Sequence, residues 1–495
     1  MKKYVNLIVL MCLLATGCAK QGVVITIDVL NQPEVNRLIY SAPLSGTIYY
    51  GFSDTLKAKE TGKFELKLEL KQPSFIAIWD ERAQNRVKML VEPGRNYHVS
   101  MDSERNVQIT GANEKGQMLY TTLPDPIPVV WGLGTIGIDY TTAGLSFADV
   151  HHKISELKQA EMSGFKELLD KREITKSFFK LVQKDRDCYC AALQAIHTLI
   201  TVHVAIECGT NVNTDELLQT LKEIIAQYPP NDESFLLSSF WGEYAESYVK
   251  YYRQLFQEDF DVEKLKELID NRTFVLNESK KYLNGKMLEF FRARTIHYRC
   301  LEGRTILSNV KSKKDFISLF EDFEKDYPES EYSKYIRPHI DEIVYYHQVM
   351  ERPFDEDILF LDNFSSFATL DEVTKPWRGK KIYIMIWRTG IPNCNECEME
   401  FQHHDALKKI LAENDVQLLY MYFNYEPFYR RDNWKDVIKL YHLTGLHFRA
   451  NEQLRMKLNK QLDKTPWYLL IDEKGNIIAE PAKSPSELVA GEKLF

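Results

Sequence analysis

The chain has 495 residues, a formal net charge of −8, 44% hydrophobic residues and eight cysteines. That length predicts two or three domains whose cores come from apolar burial, because eight cysteines are too sparse for a disulfide scaffold. The mildly acidic, dispersed charge excludes a nucleic-acid binder, which needs clustered Lys and Arg.

Lys2 and Lys3 precede an apolar run from Tyr4 to Leu14 and then small residues, the layout of a secretory signal. The run ends Leu14-Ala15-Thr16-Gly17-Cys18, which resembles a bacterial lipobox. The resemblance implies removal of residues 1–17 and acylation of Cys18. Loss of the two lysines takes the net charge from −8 to −10. Ala19 and Lys20 follow Cys18, with no acidic residue, a pattern that implies the outer membrane, facing the periplasm. No later segment is apolar enough to cross a bilayer, so the lipid is the expected anchor.

Residues 18–120 carry a period of two. Phe64-Glu65-Leu66-Lys67-Leu68-Glu69-Leu70 alternates without a break, as on a half-exposed antiparallel strand. Similar runs recur at Val23–Leu30, Thr47–Phe52, Ser74–Trp79, Val87–Val91, Tyr97–Met101 and Val107–Thr110. An all-β, sandwich-like domain is expected, acting as a binding or spacer module. A Pro- and Gly-containing linker at 121–145 includes Pro124-Asp125-Pro126-Ile127-Pro128. From 146 to 350 the period is helical. Val150, Ile154, Leu157, Phe165 and Leu168 form one stripe, and Phe316, Leu319, Phe320, Phe323 and Tyr327 another, ended by Pro328. These stripes read as core contacts between helices. Cys188 and Cys190 are two apart on a helix and point to different faces, so they do not bond each other. Pairing of either with Cys208 or Cys300 stays open beside buried free thiols.

An irregular linker at 351–376 leads to a third domain, 377–495. Its order reads strand (Lys381–Trp387), Cys394-Asn395-Glu396-Cys397, helix (Glu396–Glu413), strand (Val416–Asn424) and helix (Asn433–Tyr441). A helix (Glu452–Gln461), a strand (Trp467–Asp472), a turn at Glu473–Asn476, a strand (Ile477–Glu480) and a last helix complete it. A thiol at a helix N-terminus feels the positive end of the peptide dipoles, which stabilises its thiolate. A second thiol one turn on can resolve a mixed disulfide. The chemistry implied is thiol–disulfide exchange.

That order, with the Cys-x-x-Cys after the first central strand and Thr465-Pro466 before the last hairpin, resembles the thioredoxin fold. Within it the likeness is to TlpA/ResA-type lipoproteins, bacterial thiol:disulfide oxidoreductases whose gut-bacterial members carry an N-terminal β-domain. The resemblance implies Cys394 as nucleophile and Cys397 as buried resolving thiol. It also implies Pro466 as a cis-proline facing the disulfide, with Thr465 beside the nucleophile. Trp387 matches the tryptophan that ends the strand, and Glu400 an acid common in these lipoproteins. It implies no cofactor, protein disulfides or thiols as substrates, and a membrane electron-donor protein as partner.

Three departures stand out. Six residues rather than three separate Trp387 from Cys394. The family's buried acid, two residues before Trp387, is Met385 here. Asn395 and Glu396 replace the usual Gly-Pro, and a carboxylate there opposes a nearby thiolate. A weak oxidant is therefore expected, a reductase or isomerase. The alternative is a redox-inactive lipoprotein of the same fold that serves as a binding or scaffold module. Metal binding by the cysteines with His403 or His404 is disfavoured, since one continuous helix puts His404 about two turns, roughly 10 Å, beyond Cys397. Peroxide reduction is disfavoured too, because two closely spaced thiols suit disulfide exchange.

Overall fold

The computed structural model describes residues 21–44, 52–80, 86–104, 106–123, 147–208, 214–256, 272–301, 313–388, 395–423, 434–458 and 466–495. These fall into two compact units. One is drawn from Met1–Tyr298 and Phe323–Tyr335, the other from Arg299–Asp322 and Ile336–Phe495. Cys18, the signal segment and most of the 121–145 linker lie outside the described residues.

The first unit begins with β1 (Gln21–Leu30), β2 (Arg37–Ser41), β3 (Ser53–Lys57), β4 (Lys63–Leu70), β5 (Ser74–Asp80), β6 (Arg86–Val91), β7 (Asn96–Asp102) and β8 (Val107–Gly111). They form two four-stranded sheets, ordered β4-β1-β7-β8 and β3-β2-β5-β6. On β4 the alternation is realised residue by residue: Phe64, Leu66, Leu68 and Leu70 are buried, while Lys63, Lys67 and Glu69 face solvent. Inward residues of both sheets, among them Ile25, Ile27, Ile76, Ile78 and Val99, share one core. That is the expected sandwich. Its β1–β7 pair is parallel, within otherwise antiparallel neighbours. The run expected over Thr47–Phe52 lies mostly outside the described residues, and the strand next to it is β3, whose mixed sequence gave no alternation.

A helix that the alternation concealed, α1 (Glu114–Thr122), closes the sandwich. Strand β6 is a sheet edge, with unpaired backbone groups on its free side. The fully buried Gln117 satisfies two of them: its amide oxygen accepts from Leu90 N at 3.0 Å and its amide nitrogen donates to Leu90 O at 2.7 Å. Lys88 Nζ donates to Leu123 O at 2.7 Å beside it. The outer residues Phe75, Ala77 and Leu90 pack against Phe165 of α2 (Phe147–Asp170) and Phe178 and Val182 of α3 (Lys176–Cys208).

The helical run continues through α4 (Thr214–Gln227), α5 (Trp241–Phe256), α6 (Arg272–Tyr282), α7 (Gly285–Leu301), α8 (Asp315–Asp326) and α9 (Ser333–Glu351). Between α2 and α3 the buried Arg186 makes two 2.8 Å bonds to Glu161. Asp185 beside it accepts from Tyr120, Ser238 and the Ser239 amide. A charge buried this deeply is tolerated because its lone pairs are filled. Cys190 is a buried free thiol, as is Cys300 of the second unit; burial pushes each up to about 12, which makes them inert.

The second unit is built on six strands: β9 (Ile358–Phe360), β10 (Lys381–Trp387), β11 (Val416–Tyr422), β12 (Gly445–Arg449), β13 (Trp467–Ile471) and β14 (Ile477–Ala479). Their order is β14-β13-β10-β11-β12-β9. Strand β10 pairs in parallel with β11 and antiparallel with β13, and β13 turns into β14 as a hairpin. Helices α11 (Asn395–Phe401) and α12 (His404–Glu413) cross from β10 to β11; α13 (Trp434–Leu440) and α14 (Glu452–Lys457) make the later crossovers. The final helix is α15 (Pro485–Val489).

Three expectations need correction here. The segment 351–376 is structured: it supplies β9, a 3-10 turn at Asp362–Ser366, and α10 (Leu370–Thr374), which opens on a Thr369–Glu372 capping box. Strand β12 was not anticipated, because at five residues its Leu446 and Phe448 alternation is too short to stand out. The single helix read over Glu396–Glu413 is two, interrupted at 402–403.

Gln117→Leu should leave both Leu90 groups buried and unpaired, at a cost of about 2–4 kcal/mol. Urea unfolding of the full chain, with the Gln117→Leu midpoint compared with wild type, checks this.

Candidate active site

Strand β10 carries two different faces. Ile382, Ile384 and Ile386 join an apolar core with Leu419, Met421, Phe448, Leu469 and Ile471. Tyr383, Met385 and Trp387 point the other way, toward α11, α12 and α15. Trp387 is fully buried at the strand's end, its ring 5.1 Å from Phe401 of α11 and 5.0 Å from Tyr422 of β11. That contact fixes α11 against the strand that feeds it.

Cys394 lies outside the described residues, and so does Thr465. Asn395 opens α11, Glu396 is exposed in its first turn, and Cys397 follows, only 1% exposed. The thiol read as the resolving one is therefore shielded from solvent. Pro466 sits immediately before β13, half-buried, while its peptide bond with Thr465 is outside the described residues. A cis peptide bond joins Glu480 to Pro481, beyond β14.

Glu400 and Cys397 are one helical turn apart and face inward together. The Glu400 carboxylate accepts from Ser486 N at 2.9 Å and Ser486 Oγ at 2.7 Å, in the first turn of α15. Ser484 caps the same helix with Glu487. The acid singled out from the family likeness thus holds the C-terminal helix against the helix that bears Cys397. Met385 is buried, as the sequence departure implies, and its register partners on either side are Tyr420 and Tyr468.

His404 has a different role from the metal ligand considered above. It heads the second of the two helices and is 3% exposed. The Thr444 amide donates to its Nε2 at 3.1 Å, so that nitrogen is unprotonated. Nδ1 then carries the proton and donates to Tyr420 Oη at 2.7 Å. His447 Nε2 lies 2.6 Å from Leu443 O, which can only accept, so the proton is on Nε2. The His447 ring stacks on Tyr420 at 4.8 Å. Among the described residues no group of three or more His, Cys, Asp and Glu side chains is disposed to hold a metal ion.

No protein-family model matches the chain, and no curated protein matches it significantly. Solved thioredoxin-like structures match part of it. One is the thioredoxin domain of a thiol-disulfide oxidoreductase from Bacteroides vulgatus, at 16% identity over 23% of this chain and 81% of that one, TM-score 0.19. A thiol:disulfide interchange protein from Bacteroides sp. matches at 15% identity over 23% and 72%, TM-score 0.20. A thioredoxin-like protein from Bacteroides caccae matches over 51% of this chain and 94% of its own, at 13% identity and TM-score 0.19. At such identities and scores the likenesses carry no argument about chemistry. That argument rests on the geometry above.

The two imidazoles make stability depend on pH. Burial, with smaller contributions from Lys408 and His442 against Asp405, holds His404 down to about 4, and burial holds His447 down to about 4. Unfolded histidine titrates near 6.5, so the unfolded chain binds more protons below that value. Stability is complete above about 6.5 and is lost as pH falls toward 4, by about 2–3 kcal/mol per ring. Urea midpoints measured across that interval should fall, and His404→Gln should remove its share of the slope.

Proposed function

We propose that this protein is a thiol–disulfide oxidoreductase, tethered to the cell envelope by a lipid on Cys18 and acting on protein disulfides in the periplasm. The observation that carries the reading is the burial of Cys397 in the first turn of the helix that follows the central strand. A buried thiol there, three residues after Cys394 in sequence, supports a resolving rather than an initiating role. In the reaction, the Cys394 thiolate attacks a substrate disulfide, forming a mixed disulfide and releasing one substrate thiolate. The Cys397 thiolate then attacks the Cys394 sulfur, releases the second substrate thiol and leaves the cysteine pair oxidised. A dithiol donor protein in the membrane reduces the pair again.

The exposed Glu396 supports a weakly oxidising pair, hence a reductase or isomerase. The sandwich and the helical region serve as spacer or binding modules, with Thr465 and Pro466 beside the disulfide to pair with extended substrate. Among the described residues no helix is long and apolar enough to cross a membrane, which is compatible with a lipid anchor.

After mild reduction, alkylation across pH should show one fast, low-pKa thiol at Cys394 and one slow thiol at Cys397. Cys397→Ser should accumulate mixed disulfides with protein substrates, and Cys394→Ser should abolish disulfide turnover. Two ordinary thiols and no trapped species would instead favour a redox-silent scaffold.

A further inference from the structure

The outward face of β1 carries Val24, Thr26 and Asp28, while Val23, Ile25 and Ile27 fill the sandwich core. In the parallel register with β7, Thr26 lies opposite His98 and Asp28 opposite Ser100. His98 therefore stands beside Thr26 and diagonal to Asp28 on one side of the sheet. Its two ring nitrogens meet different groups. Nδ1 is 3.0 Å from Thr26 Oγ1, and Nε2 is 3.7 Å from Asp28 Oδ2.

The Asp28 contact is too long for a hydrogen bond. As an ion pair it contributes little, since the two side chains are 43% and 39% exposed. What the pair does offer is two electron-pair donors facing one point. Zinc bonds of about 2.1 Å to nitrogen and oxygen put two ligands roughly 3.4 Å apart at the tetrahedral angle, close to the separation here. A ligating imidazole must keep its proton on the other nitrogen and have an acceptor for it. Thr26 is that acceptor. Its hydroxyl also lies 3.4 Å from Tyr97 O, which only accepts, so the hydroxyl proton goes to the carbonyl while Oγ1 accepts from Nδ1. Nε2 then turns a lone pair toward the Asp28 carboxylate, and a cation between them removes the repulsion.

The lysines across β4 are engaged elsewhere. Lys63, the register partner of Asp28, pairs with Glu60 at 3.3 Å, and Lys59 and Lys67 pair with Glu65, the partner of Thr26. Two other His–carboxylate pairs lack the arrangement. His442 Nε2 is 2.6 Å from Asp355, a gap that a proton alone fills. His152 and Glu156 lie on a helix with side chains 75% and 63% exposed, too open for packing to hold their rotamers.

We propose that His98 Nε2 and the Asp28 carboxylate bind a divalent transition-metal ion such as zinc, with Thr26 orienting the imidazole. Water completes the coordination, because among the described residues no third His, Cys, Asp or Glu joins them. An imidazole in the ligand set suits zinc or nickel better than calcium or magnesium, which take oxygen ligands. The site gives the sandwich a ligand of its own and does not depend on the thiol–disulfide reading.

The test titrates the full chain with zinc chloride by calorimetry, after its accessible thiols have been alkylated so that they do not compete. Wild type should bind one zinc ion that His98→Ala and Asp28→Asn do not. Thr26→Val should bind it about tenfold more weakly, the effect of removing the partner of a ligating imidazole. His152→Ala should bind as wild type does. Zinc should also raise the thermal midpoint of wild type and leave that of His98→Ala unchanged. A wild-type chain that takes up no zinc, or a His98→Ala chain with wild-type affinity, overturns the site. Wild-type affinity in Thr26→Val overturns the role given to the hydroxyl. Should His98→Ala fail to fold, Asp28→Asn, nearly identical in shape to the native side chain, decides the matter by the same two readouts.

Discussion

Burial of strand β10 on both faces, with hydrogen-bonded neighbours on both edges, is the constraint from which the second unit follows. Six of its seven residues are buried, and every one from Ile382 to Ile386 is paired with both β11 and β13. A strand so enclosed cannot slip, because a shift of one residue would exchange its isoleucine face for its Tyr-Met-Trp face. The isoleucines demand an apolar core, which Leu419, Met421, Phe448 and Ile471 help to fill. The other face demands partners for aromatic rings and hydroxyls, and α11, α12 and α15 supply them. The position of Cys397 is a consequence: Trp387 ends the strand, Phe401 packs on Trp387, and the helix carrying both Phe401 and Cys397 is thereby held.

Several polar groups on that second face find partners within the fold. Tyr383 finds a carbonyl, Tyr420 finds His404, His404 finds Thr444, and Glu400 finds the start of α15. The same logic explains Gln117 in the first unit. There an amide side chain acts as a short extra strand, because the alternative is an exposed or unsatisfied edge.

The parts legible in the sequence were those with a repeating period. β4 announces itself through four alternating leucine or phenylalanine positions, and β10 through a continuous apolar run between a charged stretch and the cysteine loop. Short elements escaped. β9 has three residues and β12 five, with His447 buried among them, and neither is long enough for a period to rise above noise. The break between α11 and α12 was also hidden, since Phe401-Gln402-His403-His404 contains neither proline nor glycine. What stops the helix there is His404, drawn to Tyr420 and Thr444 by bonds that only the folded chain provides.

The sequence by itself determined the chemistry on offer: a Cys-x-x-Cys between an apolar strand and a helix, a Leu-Ala-Thr-Gly-Cys near the start that resembles a lipobox, methionine at position 385 and a Thr-Pro before the last hairpin. These depend on residue identity and short spacing, which the linear chain carries in full. Tertiary structure alone decided which groups meet. Glu400 became the anchor of α15 and His404 a core hydrogen-bonding group, because the fold brings together residues 16 to 86 positions apart and no local pattern encodes which of them meet.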